Sequence, residues 1–341
     1  MNWKAYYREE LMQPDARGDL ERALRLASGE RSLDALLDQK AILSFPHTAA
    51  RCAAPLQAQV VTTLERRQPR LVIALGVLHL SEIASYRVAR DQAATSHLRA
   101  EAVAHLTGGL IPVEDRVETP FGVLELEPAP REVPETLRYD RDGILKGEFS
   151  LDLFLALVRL QANVRRVPPL RVLALYAGLT RDPETGSFDG ARRLALAMKD
   201  LAGPDTVIVT TGDLVHFGHH YDPQARIESM PADPDALTAL FRHETEDVLD
   251  LALVVGDHAA AFERGERFLH SDQRFVLPVV AELLGPGARS NIIEFELSDY
   301  SSILGVEPPS LVASALVAYC PCPLEKSEAP CGASSASLEC L

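Results

Sequence analysis

Cysteines and long apolar runs are scarce in this chain. It has five cysteines in 341 residues, and four of them lie in the last 22 positions, which excludes the disulfide framework of a small secreted fold. No apolar run reaches the roughly 20 residues that cross a bilayer, and the first residues lack the apolar core of a secretory signal. We therefore expect a cytoplasmic protein with no membrane partner.

Basic residues are also in deficit. The 34 Lys and Arg residues face 49 Asp and Glu residues, which gives a net charge of −15. Such a surface repels phosphate backbones, so we expect no nucleic-acid partner. The chain also lacks a P-loop, a GxGxxG turn after a strand and a GxSxG elbow. These are the common signatures of nucleotide-binding proteins and of serine hydrolases, so neither class is indicated. Hydrophobic residues make up 47%, enough for a substantial core.

Short runs rich in Val, Ile and Leu predict buried strands at residues 41–45, 71–77, 170–176 and 206–211. Helical spacing between and after them predicts helices, and an apolar run that precedes the last 22 residues predicts a final strand. These helices lie at residues 55–66, 151–163, 189–202, 233–262 and 275–284, and the strand at 311–319. Strands that alternate with helices indicate an α/β fold with a mainly parallel or mixed central sheet flanked by helices.

We interpret residues 1–319 as one domain. Within it, residues 1–40 form a helical lead-in, and residues 112–146, rich in Pro, Glu and Arg, form an inserted hairpin or loop. Residues 320–341 are small, polar and interrupted by proline, which is typical of a flexible tail. The tail carries Cys320, Cys322, Cys331 and Cys340, which are either incidental or a site for a soft metal such as Cu(I) or Zn²⁺.

Groups able to bind a metal or move a proton follow three of the predicted strands. His47 comes directly after the first, His79 after the second, and Asp213 with His216 after the fourth. In open α/β sheets the loops at the carboxyl ends of the strands meet at one crevice. Two imidazoles and a carboxylate form the facial site of non-haem Fe(II) enzymes. The sequence therefore predicts a shared metal-binding pocket at these strand ends.

Four segments resemble the MEMO family in order and spacing, over roughly residues 40–320. Residues 44–49, Ser-Phe-Pro-His-Thr-Ala, are similar to its Pro-His-Ala-Gly element, and residues 74–79 to its strand that closes in histidine. Residues 148–152, Glu-Phe-Ser-Leu-Asp, are similar to its Glu-His-Ser segment. Residues 209–218, which contain Asp-Leu-Val-His-Phe-Gly, resemble its Asp-x-x-His-aromatic-Gly element, the most specific of the four.

The resemblance implies a fold like that of class III extradiol dioxygenases, with a metal in the strand-end pocket. By position, His47 and His79 become metal ligands, and His216 becomes the acid/base group with Asp213 beside it. The family places a cysteine at the third ligand position, but residues 268–275 contain none. His270 is the nearest candidate for that ligand, and Asp272 is the next.

The chain departs from the family pattern in two of these segments. Phe149 stands where the family has the histidine of its Glu-His-Ser element, and Thr48-Ala49 replace its Ala-Gly. Glu148 is retained. It is interpreted either as a residue that orients a metal ligand or as a carboxylate at a helix N-terminus.

The first hypothesis from the sequence is a metal-dependent oxidoreductase similar to dioxygenases, with iron(II) as the ion and zinc or copper as alternatives. If His270 is the third ligand, three imidazoles suit Zn²⁺ and Fe²⁺ alike. If Asp272 is the third ligand, the set favours Fe(II). The alternatives are a non-catalytic protein that binds a metal or a peptide, and a zinc-dependent hydrolase. The expected partner is a small molecule or peptide in the strand-end pocket.

Overall fold

The computed structural model describes residues 2–80, 83–130, 132–222 and 227–322. The strands are β1 Ile42–Phe45, β2 Leu71–Val77, β3 Gly109–Ile111, β4 Arg116–Thr119, β5 Gly122–Glu125, β6 Leu137–Tyr139, β7 Val172–Ala177, β8 Thr206–Thr211, β9 His216–Gly218, β10 Arg289–Asp299 and β11 Ser310–Cys320. The helices are α1 Trp3–Leu11, α2 Ala16–Ala27, α3 Ser32–Asp38, α4 Ala50–Arg67, α5 Ala84–Arg90, α6 Ser96–Leu106, α7 Asp152–Arg165, α8 Asp189–Leu201, α9 Pro234–Asp250, α10 His258–Arg264, α11 Leu277–Leu284 and α12 Ser301–Leu304.

A mixed sheet runs through the centre of the molecule. In the described residues its strand order is β10-β11-β1-β8-β2-β7-β3-β6, and β9 pairs with β11 beside this path. The four middle strands β1, β8, β2 and β7 are parallel neighbours. The strand β11 is antiparallel to β1, β9 and β10. The α/β fold with a mixed central sheet flanked by helices is therefore confirmed.

Both faces of the sheet are buried, which explains the nearly continuous apolar runs. Along β2, Val72 and Ala74 pack into the core that contains α4 and α7. Their neighbours Ile73, Leu75 and Val77 pack into the core on the other face, with α8 and α11. Because successive side chains of a strand point to opposite faces, every residue of such a strand must be apolar or small.

The predicted strands end within two residues of the observed ones, but the long predicted helix at 233–262 is interrupted. The helix α9 passes into a π-helical turn at Leu251–Val255, and Gly256 then adopts a positive φ of 76°. Asp257 starts α10 by accepting a hydrogen bond from the Ala260 N–H. A glycine in the left-handed region followed by an Asp N-cap ends one helix and begins another.

The segment expected to be an inserted hairpin or loop contains the hairpin β4–β5 and also β6, which pairs with β3 at the edge of the main sheet. The predicted lead-in holds α1, α2 and α3. Most of the predicted tail, with Cys331 and Cys340, lies outside the described residues. Cys320 is the last residue of β11. None of the helices in the described ranges combines the length and apolar character needed to cross a membrane.

Candidate metal centre

Three adjacent parallel strands deliver the candidate ligands to one edge of the sheet. Since β8 lies between β1 and β2 and is parallel to both, their carboxyl ends meet at the same edge. His47 follows β1, His79 follows β2, and Asp213 follows β8, three residues before His216 opens β9. The structure thus brings together the four groups that the sequence analysis names at strand ends.

A fifth group, Asp272, completes the cluster. Its Oδ2 lies 3.4 Å from His47 Nε2, 3.8 Å from His79 Nε2 and 3.7 Å from His216 Nε2. His47 Nε2 and His79 Nε2 are 3.3 Å apart, and Asp213 Oδ2 is 3.7 Å from His47 Nε2 and 3.8 Å from His216 Nε2. Two ligands held about 2.0–2.2 Å from one ion lie about 3 to 3.5 Å apart. The spacing therefore suits a metal ion.

The His47 ring is oriented by the Thr211 hydroxyl, which can only accept a hydrogen bond from it. Its Nδ1 lies 3.2 Å from Thr211 Oγ1, and that hydroxyl donates its proton to the Phe45 carbonyl at 2.9 Å. Thr211 must therefore accept the proton of His47 Nδ1, which leaves a lone pair on Nε2. The His47 backbone N–H donates to Asp213 Oδ1 at 3.0 Å and fixes the loop to the neighbouring strand end.

Glu148 holds His79 in the same orientation. Its carboxylate oxygens lie 3.1 and 3.2 Å from His79 Nδ1, and Oε2 also accepts the His79 backbone N–H at 2.8 Å. The N–H groups of Phe149 and Ser150 donate to Oε1. Burial alone would raise the pKa of Glu148, but the charge and hydrogen bonds of His79 lower it to about 2. Glu148 is therefore ionised, and His79 donates from Nδ1.

The pKa of His79 reflects this partner. Burial lowers it, but the Glu148 charge and hydrogen bond outweigh burial and raise the pKa to about 9. Without a metal, His79 thus holds a second proton on Nε2 at neutral pH. A metal ion at Nε2 replaces that proton, because both need the same lone pair.

His216 completes the pattern. Its Nδ1 lies 3.1 Å from the backbone carbonyl oxygen of His270, which can only accept. All three rings therefore bind their Nδ1 proton outside the cluster and turn Nε2 toward the two carboxylates. Partners of this kind on the outer nitrogen are typical of histidines that ligate metals.

The two carboxylates differ in their proton affinity. Burial raises the pKa of Asp272, but the charges of the three histidines outweigh it, and the pKa falls well below its usual range. Burial raises the pKa of Asp213 above its usual value despite His47 and His216. Asp272 is therefore the carboxylate that stays charged, and Asp213 is the one that takes up a proton more readily.

The structure puts the side chain of His270 apart from the cluster. Among the described residues, the sets with ligand atoms within 4.8 Å of one another are His47, His79 and Asp272, and Asp213, His216 and Asp272. The His270 ring instead lies 3.9 Å from an Asp222 carboxylate oxygen, and burial lowers its pKa. Its backbone is left-handed, with φ 47°, which turns the carbonyl toward His216. Of the two candidates for the third ligand, Asp272 faces the histidines.

Asp272 is fixed by its neighbours in sequence. Its N–H donates to the Asp213 carbonyl at 3.0 Å, and Ser271 Oγ donates to the same oxygen at 3.2 Å. Gln273 is buried, donates to Ser44 Oγ and accepts the Tyr319 hydroxyl proton. The loop that carries Asp272 is thus bound to the ends of β1, β8 and β11.

The cluster lies in a cavity of about 460 Å³, a size usual for sites that bind small molecules. Aromatic rings form much of its wall, with the cationic side chains of Arg90 and Arg274 and the imidazoles of His220 and His270. The rings are those of Trp3, Tyr7, Phe149, Tyr221 and Tyr300. This combination gives the cavity an apolar, flat wall beside a strongly polar end.

Thr211, Trp3 and Tyr7 are among the contributors to the site that the sequence analysis does not name. Thr211 faces His47 only because β1 and β8 pair with Phe45 opposite Thr211, and strand order cannot be read from one sequence. Trp3 and Tyr7 line the cavity from α1. Their spacing of four residues places them on one helical face, a signal that was present in the sequence.

The fold and the site describe an α/β protein with a candidate metal centre at its strand ends. Comparison with models of known protein families and with curated proteins finds no match. Among solved structures, the chain is similar to the crystal structure of the uncharacterized protein JW3007 from Escherichia coli K12. The identity is 12% and the TM-score 0.39, with 82% of this chain and 99% of that chain covered. That likeness is too distant to carry an argument.

Proposed function

We propose that this protein is an iron(II)-dependent oxidoreductase similar to dioxygenases, with the metal bound by His47, His79 and Asp272. The observation that carries the proposal is the shared orientation of the three histidine rings, each with Nδ1 bound outside the cluster and Nε2 turned inward. Two imidazoles and one carboxylate match the facial ligand set that leaves open positions on Fe(II). The same proposal includes a MEMO-like protein whose fold is similar to that of class III extradiol dioxygenases.

In this proposal each residue has a distinct task. A bound iron(II) supplies Lewis acidity and electrons for O₂ chemistry. His216 exchanges a proton with the substrate at Nε2, a role that histidine fills more often than any other side chain. Asp213 accepts the His47 backbone N–H and faces His216, so it links the loop of one metal ligand to the acid/base group. Glu148 and Thr211 keep the two imidazole ligands in position.

The test is elemental analysis of anaerobically purified wild type beside His47→Ala and His79→Ala. Near-stoichiometric iron in the wild type, lost in both variants, supports the proposal. The matched control is His97→Ala, because that ring is 82% exposed and pairs only with Glu101 in the described residues. Stoichiometric zinc would contradict the proposal and favour a zinc-dependent hydrolase. No metal after reconstitution would leave a non-catalytic binding protein.

Oxygen uptake with catechol-like compounds then tests catalysis. We expect His216→Gln to retain iron and to lose turnover by about 10²–10⁴-fold, the usual contribution of one acid/base group. Iron-loaded wild type that consumes no oxygen with any such compound would contradict the enzymatic part of the proposal, and so would a His216→Gln variant with full turnover.

A further inference from the structure

An unbroken strip of aromatic rings leads along the cavity wall to the candidate metal centre. Trp3 stacks on Tyr7 with centroids 5.6 Å apart and planes at 20°, and Tyr7 contacts Phe149 at 5.1 Å. Phe149 in turn stacks on the His79 ring at 4.3 Å and 20°. Aromatic rings favour offset stacking and edge contacts with other rings. The strip therefore fits a flat, aromatic ligand in the cavity that contains His79.

The same cavity holds a cation that lacks a carboxylate partner in the described residues. Arg274 donates from Nη1 to the Ser271 carbonyl, and its guanidinium packs over the Phe275 ring at 4.9 Å. Its Nε is buried without a hydrogen-bond partner within the described ranges. Arginine offers five donors, so most of its capacity for an anion is unused.

The second arginine of the wall differs in this respect. Arg90 Nη1 lies 3.2 Å from Glu266 Oε1 and also donates to the Tyr86 hydroxyl. Its charge is neutralised by that carboxylate, and its side chain is 54% exposed. The positive charge that remains for a ligand is therefore that of Arg274, two residues along the chain from Asp272.

We propose that the substrate is an aromatic carboxylate, whose ring packs on the strip Trp3–Tyr7–Phe149 and whose carboxylate is bound by Arg274. This inference specifies the substrate of the proposed enzyme, but the recognition itself does not involve the metal. A planar guanidinium pairs with a carboxylate through two parallel hydrogen bonds. The aromatic ring adds a stacking contribution and excludes water from the pair.

The chain has a built-in reporter for this binding. Trp3 is its only tryptophan and it lines the cavity, so quenching of tryptophan fluorescence reports occupancy directly. The experiment titrates full-length protein, treated with a chelator, with benzoate and with benzyl alcohol. Removing the metal is essential, because a carboxylate could otherwise bind the ion itself.

We expect benzoate to bind at least about tenfold more tightly than benzyl alcohol, the effect of one charge-assisted hydrogen bond. Arg274→Gln should abolish this preference, and Arg274→Lys should retain part of it. The matched control is Arg267→Gln, an exposed arginine that pairs with Glu263. Its preference should equal that of the wild type.

Equal binding of the two compounds by the wild type would overturn the inference without any variant. A preference that survives Arg274→Gln would also overturn it. The outcome is independent of the metal analysis. Benzoate selectivity in a protein that never binds a metal would keep this inference and remove the proposed function, while iron binding without benzoate selectivity would do the reverse.

Discussion

The Nε2 atoms of His47 and His79 lie 3.3 Å apart, although neither ring can turn its Nδ1 toward the other. Thr211 binds one Nδ1 and Glu148 the other. Two inward lone pairs at this distance repel each other unless a positive charge lies between them. A proton satisfies this requirement in the metal-free protein, as the raised pKa of His79 indicates. A divalent ion would satisfy it more completely, since it would also pair with Asp272.

Substitutions of Asp272 and of His270 should have opposite effects on the metal content of the protein. We expect Asp272→Ala to reduce bound metal to the level of His47→Ala, because it removes the charged ligand that faces all three rings. His270→Gly should retain the metal, since glycine adopts a φ of 47° without penalty and keeps the carbonyl that binds His216. The measurement is metal per chain by elemental analysis. Metal retained in Asp272→Ala and lost in His270→Gly would instead support the alternative ligand set, in which His270 is the third imidazole.

Glu148 contacts no metal in our proposal but sets the orientation of His79. We expect Glu148→Gln to weaken metal affinity by about 10–100-fold, the usual cost of losing such a partner. The measurement is competition with a chelator of known affinity. Glu101→Gln is the matched control, because its carboxylate is exposed and lies near only His97 among the described residues. An unchanged affinity would mean that Glu148 serves only the N-terminal turn of α7.

How much of this site can be predicted from sequence depends on the kind of backbone that carries each ligand. His47, His79, Asp213 and His216 follow strands whose continuous apolar runs are easy to recognise, so their common location follows from the α/β pattern. Asp272 follows a π-helical turn at Gly265–Leu269 and a left-handed residue. Such a segment has no fixed period, so spacing cannot predict whether the side chain of residue 270 or that of residue 272 faces the histidine cluster.

Prediction from the sequence is limited in a similar way at the edge of the sheet. The strand β10 spans Arg289–Asp299, yet the sequence analysis names no strand there. Its residues are mostly polar and partly exposed, since it pairs with β11 on one side only, within the described strand order. An edge strand with mixed burial lacks the apolar run that marks the inner strands.

The stability of the metal-free protein should fall as the pH rises from about 6.5 to about 9. A histidine whose pKa is raised on folding, here from 6.5 to about 9, contributes stability below the lower value and loses it as the pH rises through the higher one. The slope is at most about 1.4 kcal/mol per pH unit. Thermal unfolding of chelator-treated protein measures it, and Glu148→Gln should flatten the curve. A wild-type curve that rises over this range would contradict the ion pair of His79 and Glu148.

Gly212 is the point where a single methyl group should displace Asp272, the proposed third metal ligand. A Cβ at this position would lie 2.3 Å from Gln273 Cγ and 3.3 Å from Val77. Gln273 cannot move away freely, because it bonds to Ser44 and Tyr319. We therefore expect Gly212→Ala to shift the neighbouring Asp272, to reduce metal content and to destabilise the fold by about 1–3 kcal/mol, the usual cost of overpacking.

The matched control for that change is Gly18→Ala. Gly18 lies in α2, and a Cβ there meets nothing within 4 Å among the described residues, so alanine should stabilise the helix slightly and leave the metal content unchanged. Metal content and denaturant unfolding are measured on both variants. If Gly212→Ala lost stability but kept full metal occupancy, the Asp272 loop would be adaptable. The buried glutamine would then serve the core and not the position of the ligand.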